Sequence, residues 1–63
     1  MNYLALTPEI LLSIINTKLR DFYSNLIELC DDLDINKNDL IDKLSLIDYY
    51  YDELINQFIK KEE

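Results

Sequence analysis

The chain contains no glycine, no histidine, a single proline and a single cysteine among its 63 residues. Each shortage closes a route. Without glycine there is no flexible loop of the kind that cradles a phosphate. Without histidine neither a Ser/His/Asp nor a Cys/His nucleophilic set can be assembled, and a closed zinc site lacks ligands. One cysteine, Cys30, excludes an internal disulfide. Long apolar runs are missing too. Asn16, Lys18 and Arg20 interrupt the longest, which falls short of the roughly 20 residues that span a bilayer. The N-terminus lacks the basic start, apolar stretch and small-residue cleavage site of a secretory signal. The expectation is a soluble cytoplasmic protein with no membrane contact, no metal and no cofactor.

What is present points to a small folded domain. Hydrophobic residues make up 49% of the chain, too many for a disordered tail. A chain this short buries only about 60% of the surface its unfolded form exposes, so the core is thin. With disulfide and metal closed off, self-association is the remaining way to add stability. Thirteen acids against six bases give a net charge of −7. That balance repels phosphate backbones and anionic lipid and favours basic protein surfaces; its plainer use is solubility.

Three helices are expected, over about residues 8–22, 25–33 and 37–47. The first opens on "TPEILL", with Thr7 at the N-cap, Pro8 at the first helical position and Glu9 at the positive end of the dipole. Leu11, Ile14, Ile15, Leu19 and Phe22 form its apolar arc, with Ser13, Asn16 and Arg20 opposite. Ser24 suits the next N-cap. Leu26, Ile27, Leu29, Cys30 and Leu33 make that helix's apolar face, so Cys30 reads as an inert core thiol. Asn36 caps the third helix, with Leu40, Ile41, Leu44 and Ile47 buried and Leu46 off the stripe, free to meet a last segment or a second chain.

Residues 48–60 read in two ways. Leu54, Ile55, Phe58 and Ile59 recur at helical spacing, so periodicity leans to a fourth helix. Alternatively Tyr49, Tyr50 and Tyr51 form a strand, "ELIN" turns and "QFI" returns as a β-hairpin, with Asn56 tolerating a left-handed backbone.

Candidate chemistry is sparse. Asp32, Asp34 and Asn36 stand at the first, third and fifth positions of a calcium-binding loop. Lys37 replaces the required glycine and Lys43 the bidentate glutamate, so calcium is rejected. Paired carboxylates abound, but a short helical chain offers no cleft to shift their pKa values, and no enzyme is expected. The second and third helices, joined by "DLDINKND", resemble a helix-turn-helix, yet Lys37 and Lys43 are balanced by Asp39 and Asp42, and Glu28, Asp31, Asp32 and Asp34 add more negative charge.

The blocks "LLSIINTKLRD", "LIELCDDLDINKNDLIDKL" and "YYYDELINQF", from about Leu11 to Phe58, resemble a family of very short bacterial proteins catalogued as domain of unknown function 4250. The resemblance implies a bacterial source and no particular activity. It also implies a C-terminal hairpin, because family members place a proline or turn-like residue after the "YD"; here Glu53 and Leu54 stand there, which keeps the fourth helix open.

Lys18 is the odd residue. On the helical wheel it falls between Ile14 and Phe22, inside the apolar arc, where an unpaired ammonium is costly. Its stem can cover apolar surface while the head reaches water. It can form an ion pair with the acidic segment Asp31–Asp34. Or, with Arg20, it can grip a partner's carboxylate or phosphate. The fold class expected is mainly α: a compact three-helix bundle, helices two and three helix-turn-helix-like, closed by a hairpin or fourth helix. The function expected is a non-enzymatic acidic module that binds a protein partner or forms a homodimer, with Leu46, Tyr49, Tyr50 and Tyr51 as apolar contacts. A nucleic-acid-binding regulator is the alternative. No small-molecule substrate is expected.

Overall fold

A computed structural model describes residues 2–62; Met1 and Glu63 of the expected single domain lie outside the described residues. A short 3₁₀ turn over Tyr3–Ala5 leads into α1 (Pro8–Asp21), α2 (Leu26–Leu33), α3 (Lys37–Ser45), β1 (Tyr49–Asp52) and β2 (Gln57–Lys60). The fold is mainly α, three helices and a two-stranded antiparallel hairpin.

Local chemistry explains each helix end. Thr7 is extended, its carbonyl accepts from the Leu11 N–H at 2.9 Å, and Pro8 supplies the fixed φ of the first helical position. No side-chain cap bond forms from Thr7. At α2 the cap is Asn25, not Ser24: Asn25 Oδ1 accepts from the Glu28 N–H at 2.8 Å. Ser24 instead donates, through its hydroxyl and its N–H, to the Glu28 carboxylate, a reciprocal arrangement close to a capping box. Asn36 caps α3 as expected, accepting from the Asp39 N–H at 3.0 Å.

Among the described residues three have positive φ: Asp34 (55°), Asp48 (63°) and Asn56 (54°). All are Asp or Asn, the side chains that best tolerate the left-handed region where glycine is missing. Asp34 ends α2, Asp48 turns the chain from α3 into β1, and Asn56 turns it into β2. Left-handed Asp48 before β1 and left-handed Asn56 before β2 admit the antiparallel pairing of the two strands, which settles the C-terminal segment against a fourth helix. Leu54 and Ile55, which supplied half of the helical spacing, sit in the connecting loop, and Leu54 is 92% exposed.

The core gathers Leu11, Ile15 and Leu19 from α1, Leu26, Leu29 and Cys30 from α2, Ile35 from the turn, Leu40 and Leu44 from α3, and Phe58 from β2. Spacing by four along α1 and α3 gives one buried stripe each. Tyr49 and Tyr51, alternating with Tyr50, face this core, and the Tyr51 and Phe58 rings meet with centroids 5.5 Å apart. Four expected core residues are outside it, Ile14 and Ile47 being only half-buried. Phe22 lies past the end of α1, with φ −128°, and is 73% exposed; Ile27 is 66% exposed.

Candidate interaction surface

The two edges of the hairpin differ. Tyr51 stands opposite Phe58, and both backbone groups of Phe58 turn away from β1 towards α1. Asn16 receives them: its Oδ1 accepts from the Phe58 N–H at 2.7 Å and its Nδ2 donates to the Phe58 carbonyl at 2.9 Å. A side-chain carboxamide thus acts as one residue of a third strand. Around it, Gln57 Nε2 donates to the Asn16 carbonyl at 3.0 Å. Asn56 Nδ2 donates to the carbonyls of Leu19 (3.0 Å) and Tyr23 (2.8 Å), at and just beyond the C-terminal end of α1. The Tyr51 hydroxyl donates to Asn56 Oδ1 (2.7 Å) and accepts from the Leu26 N–H (3.2 Å), an orphan donor of α2. These contacts tie the hairpin to both helices.

The β1 edge is open. In an antiparallel ladder the groups of Tyr51 must point away from Phe58, and those of Tyr49 away from Lys60, two residues along. Among the described residues no protein group meets the outward N–H and C=O of Tyr49 and Tyr51. Asp48 precedes this strand and Asp52 ends it.

The basic and acidic residues singled out in the sequence are not brought together. Lys18 is half-buried at the rim, its Nζ 5.9 Å from the centroid of the Phe22 ring. The buried stripe of α1 is rotated away from Lys18 because the hairpin docks along the Asn16 side, which the helical wheel had assigned to solvent. Lys18 forms no ion pair with Asp31, Asp32 or Asp34 among the described residues. Among the described residues the one ion pair is Arg20 Nε–Asp21 Oδ1 at 2.8 Å, between sequence neighbours, and this contact holds the Asp21 carboxyl below its ordinary value. Asp31, Asp32 and Asp34 are exposed. Asp32 accepts from the Tyr23 hydroxyl, which raises the tyrosine's pKa, and Asp34 is the left-handed end of α2. Tyr23, Glu28, Asp31 and Asp32 line a shallow acidic depression. Burial pushes the Cys30 thiol up, against a smaller opposite pull from Lys37. Among the described residues no cluster of three or more Cys, Asp or Glu is placed to hold a metal, and no helix is long and apolar enough to cross a membrane.

Of the expected apolar contacts, Leu46 is 75% exposed and Tyr50 46%, while Tyr49 and Tyr51 belong to the core. Leu54 and Ile55 join the outward set. Reading the residues missed Asn16 and Gln57 and placed Asn56 only as a left-handed turn residue, which it is, since nothing in helical spacing announces a side chain that completes a sheet or ties it to a helix. Their letters do stand in the "NTKLRD" and "NQF" blocks that carried the family resemblance.

That resemblance is shown. The family model described as "Domain of unknown function (DUF4250)" matches residues 6–58, and the chain belongs to that family. No curated protein and no solved structure matches it.

Proposed function

We propose that this DUF4250 member is a non-enzymatic interaction module of the bacterial cytoplasm that docks on a basic surface of a protein partner. The observation that carries the reading is the outer side of the hairpin. Tyr50 is outward on its face, Leu46 precedes it, Leu54 and Ile55 cap its loop, and all are exposed in a molecule of net charge −7. Apolar anchors inside an acidic field suit a partner with a positive rim. In this reading α1–α3 form a three-helix bundle, with α2 and α3 in a helix-turn-helix-like order.

Nucleic acid is a poor fit to that pair of helices. On α3 the Lys43 ammonium is engaged by the Leu4 carbonyl at 2.7 Å, which leaves Lys37 beside Asp39 and Asp42. The test compares the native chain with Leu46→Ser/Tyr50→Ser in affinity purification from the host. Partners retained by the native chain and lost by the variant support docking through the hairpin; an identical set from both, or a gel shift with DNA that weakens steeply with salt, overturns it.

A further inference from the structure

The open edge of β1 says more about the partner than the apolar residues do. We infer that β1 accepts an extended, cationic peptide segment as a third strand, with two Lys or Arg residues four positions apart around an apolar one. The inference rests on the docking reading above and narrows it to one edge and one chemistry.

An unpaired strand edge is a template for any extended chain, and native proteins protect it or use it. Here Asn16 meets the outward groups of Phe58 on β2, whereas on β1 Tyr49 and Tyr51 present two N–H and two C=O groups outward. A peptide that pairs with both residues gains four backbone hydrogen bonds. Its intervening residue then lies beside Tyr50, whose exposed ring offers an apolar cross-strand contact.

Charge decides between a peptide and a second copy. The antiparallel self-pairing that uses all four outward groups joins Tyr49 of each copy to Tyr51 of the other. That register sets Asp48 of each copy opposite Asp52 of the other, at both ends of the new pair. Like charges directly opposite destabilise a strand pair, and each copy carries −7. The same two carboxylates are favourable neighbours for cations on a foreign strand. Among the described residues neither carboxylate forms an ion pair: Lys60 ends β2 opposite Tyr49, and Lys61, just past it, meets Asp48 through its backbone N–H, which donates to the Asp48 carbonyl at 2.6 Å. Asp52 Oδ1 accepts from the Leu54 N–H, which leaves its second oxygen for a partner.

The test is a titration of the full chain with acetyl-Lys-Thr-Ile-Thr-Lys-amide, followed by amide NMR shifts and hydrogen exchange. Three comparisons accompany it: the peptide with glutamate for both lysines, the lysine peptide N-methylated at both threonines, and the protein variant Asp48→Asn/Asp52→Asn. The substitutions to Asn preserve both the left-handed position and the Asx contact. The expected result is new exchange protection at the Tyr49 and Tyr51 amides, binding about tenfold weaker for the glutamate peptide and for the variant, and no protection from the N-methylated peptide. Equal binding of both peptides overturns the cationic assignment. Concentration-dependent protection without peptide, with a dimer by light scattering, overturns it in favour of a second copy. Shifts confined to another face overturn the edge while leaving the docking proposal standing; absence of any binding, together with an identical partner set for Leu46→Ser/Tyr50→Ser, removes both.

Discussion

At the facing pair of Tyr51 and Phe58 the two edges of the hairpin meet different fates. On β2, the outward groups of Phe58 are buried with that residue, at 2% exposure, and a complementary amide meets both. On β1, the outward groups of Tyr49 and Tyr51 rely on solvent. A strand edge need not be closed by another strand; one asparagine on a packed helix suffices where burial leaves no water to do the work. Where water has access, the edge can stay open, and it is then available to a partner.

The largest expected effect breaks the closed edge. Asn16→Ala strands a buried N–H and a buried C=O, at about 1–3 kcal/mol each. A chain of this length holds roughly 3–9 kcal/mol in total at typical stability per residue. Urea unfolding should therefore show a large fall in midpoint or no folded baseline, and a change below about 0.5 kcal/mol would show that the amide does not hold the hairpin. Hydrogen exchange in the native chain sharpens the same contrast. The Phe58 amide should exchange about 100-fold or more slowly than those of Tyr49 and Tyr51; equal rates would remove the distinction between edges.

Next in size is Tyr51→Phe, which keeps the ring against Phe58 but removes the hydroxyl linking Asn56 to the α2 N-terminus. A loss of about 1–2 kcal/mol is expected in thermal or urea melts, with the β1 edge still open. Two lysines give a smaller contrast. Lys43→Met releases the Leu4 carbonyl and should cost about 1 kcal/mol, whereas Lys18→Met at the rim should fall within about 0.5 kcal/mol. A large loss at Lys18 would restore the ion-pair reading.

The smallest effect is pH-dependent and lies away from the hairpin. Hydrogen bonds from the Ser24 hydroxyl and N–H hold the Glu28 carboxyl below its ordinary value. A carboxyl whose folded pKa is below its unfolded pKa contributes stability that is complete above the unfolded value. That contribution fades as pH falls through the folded one. Melting curves across the acid range should show this slope in the native chain and a shallower one in Ser24→Ala; parallel slopes would exclude the contact.

Much of the fold was legible along the chain. Thr7-Pro8-Glu9 and Asn36 mark helix starts through local backbone chemistry, and Leu11, Ile15, Leu19, Leu40 and Leu44 follow helical spacing into the core. The errors share one cause. Lys18 and Phe22 were placed inside the core, and Asn16 outside it, because a helical wheel knows the apolar sum of a helix but not the direction from which its neighbour arrives. The C-terminal segment was ambiguous for a related reason. Leu54, Ile55, Phe58 and Ile59 satisfy a helical period, while Tyr49, Tyr51 and Phe58 satisfy the alternation of a strand pair, and only contact with α1 and α2 separates them. The apolar surface was half legible: Leu46 and Tyr50 are outward, but Tyr49 and Tyr51 are claimed by the core.

Composition and short-range pattern settled three helices, the Asn36 cap and an acidic molecule, because these depend on neighbours within a few residues. Folding in three dimensions decided the rest. It chose a hairpin, turned α1 until Asn16 faced Phe58, and sealed the edge of β2 at that residue while leaving Tyr49 and Tyr51 of β1 bare, since hydrogen bonds across some forty residues exist only once packing has brought their partners together and removed the water between them.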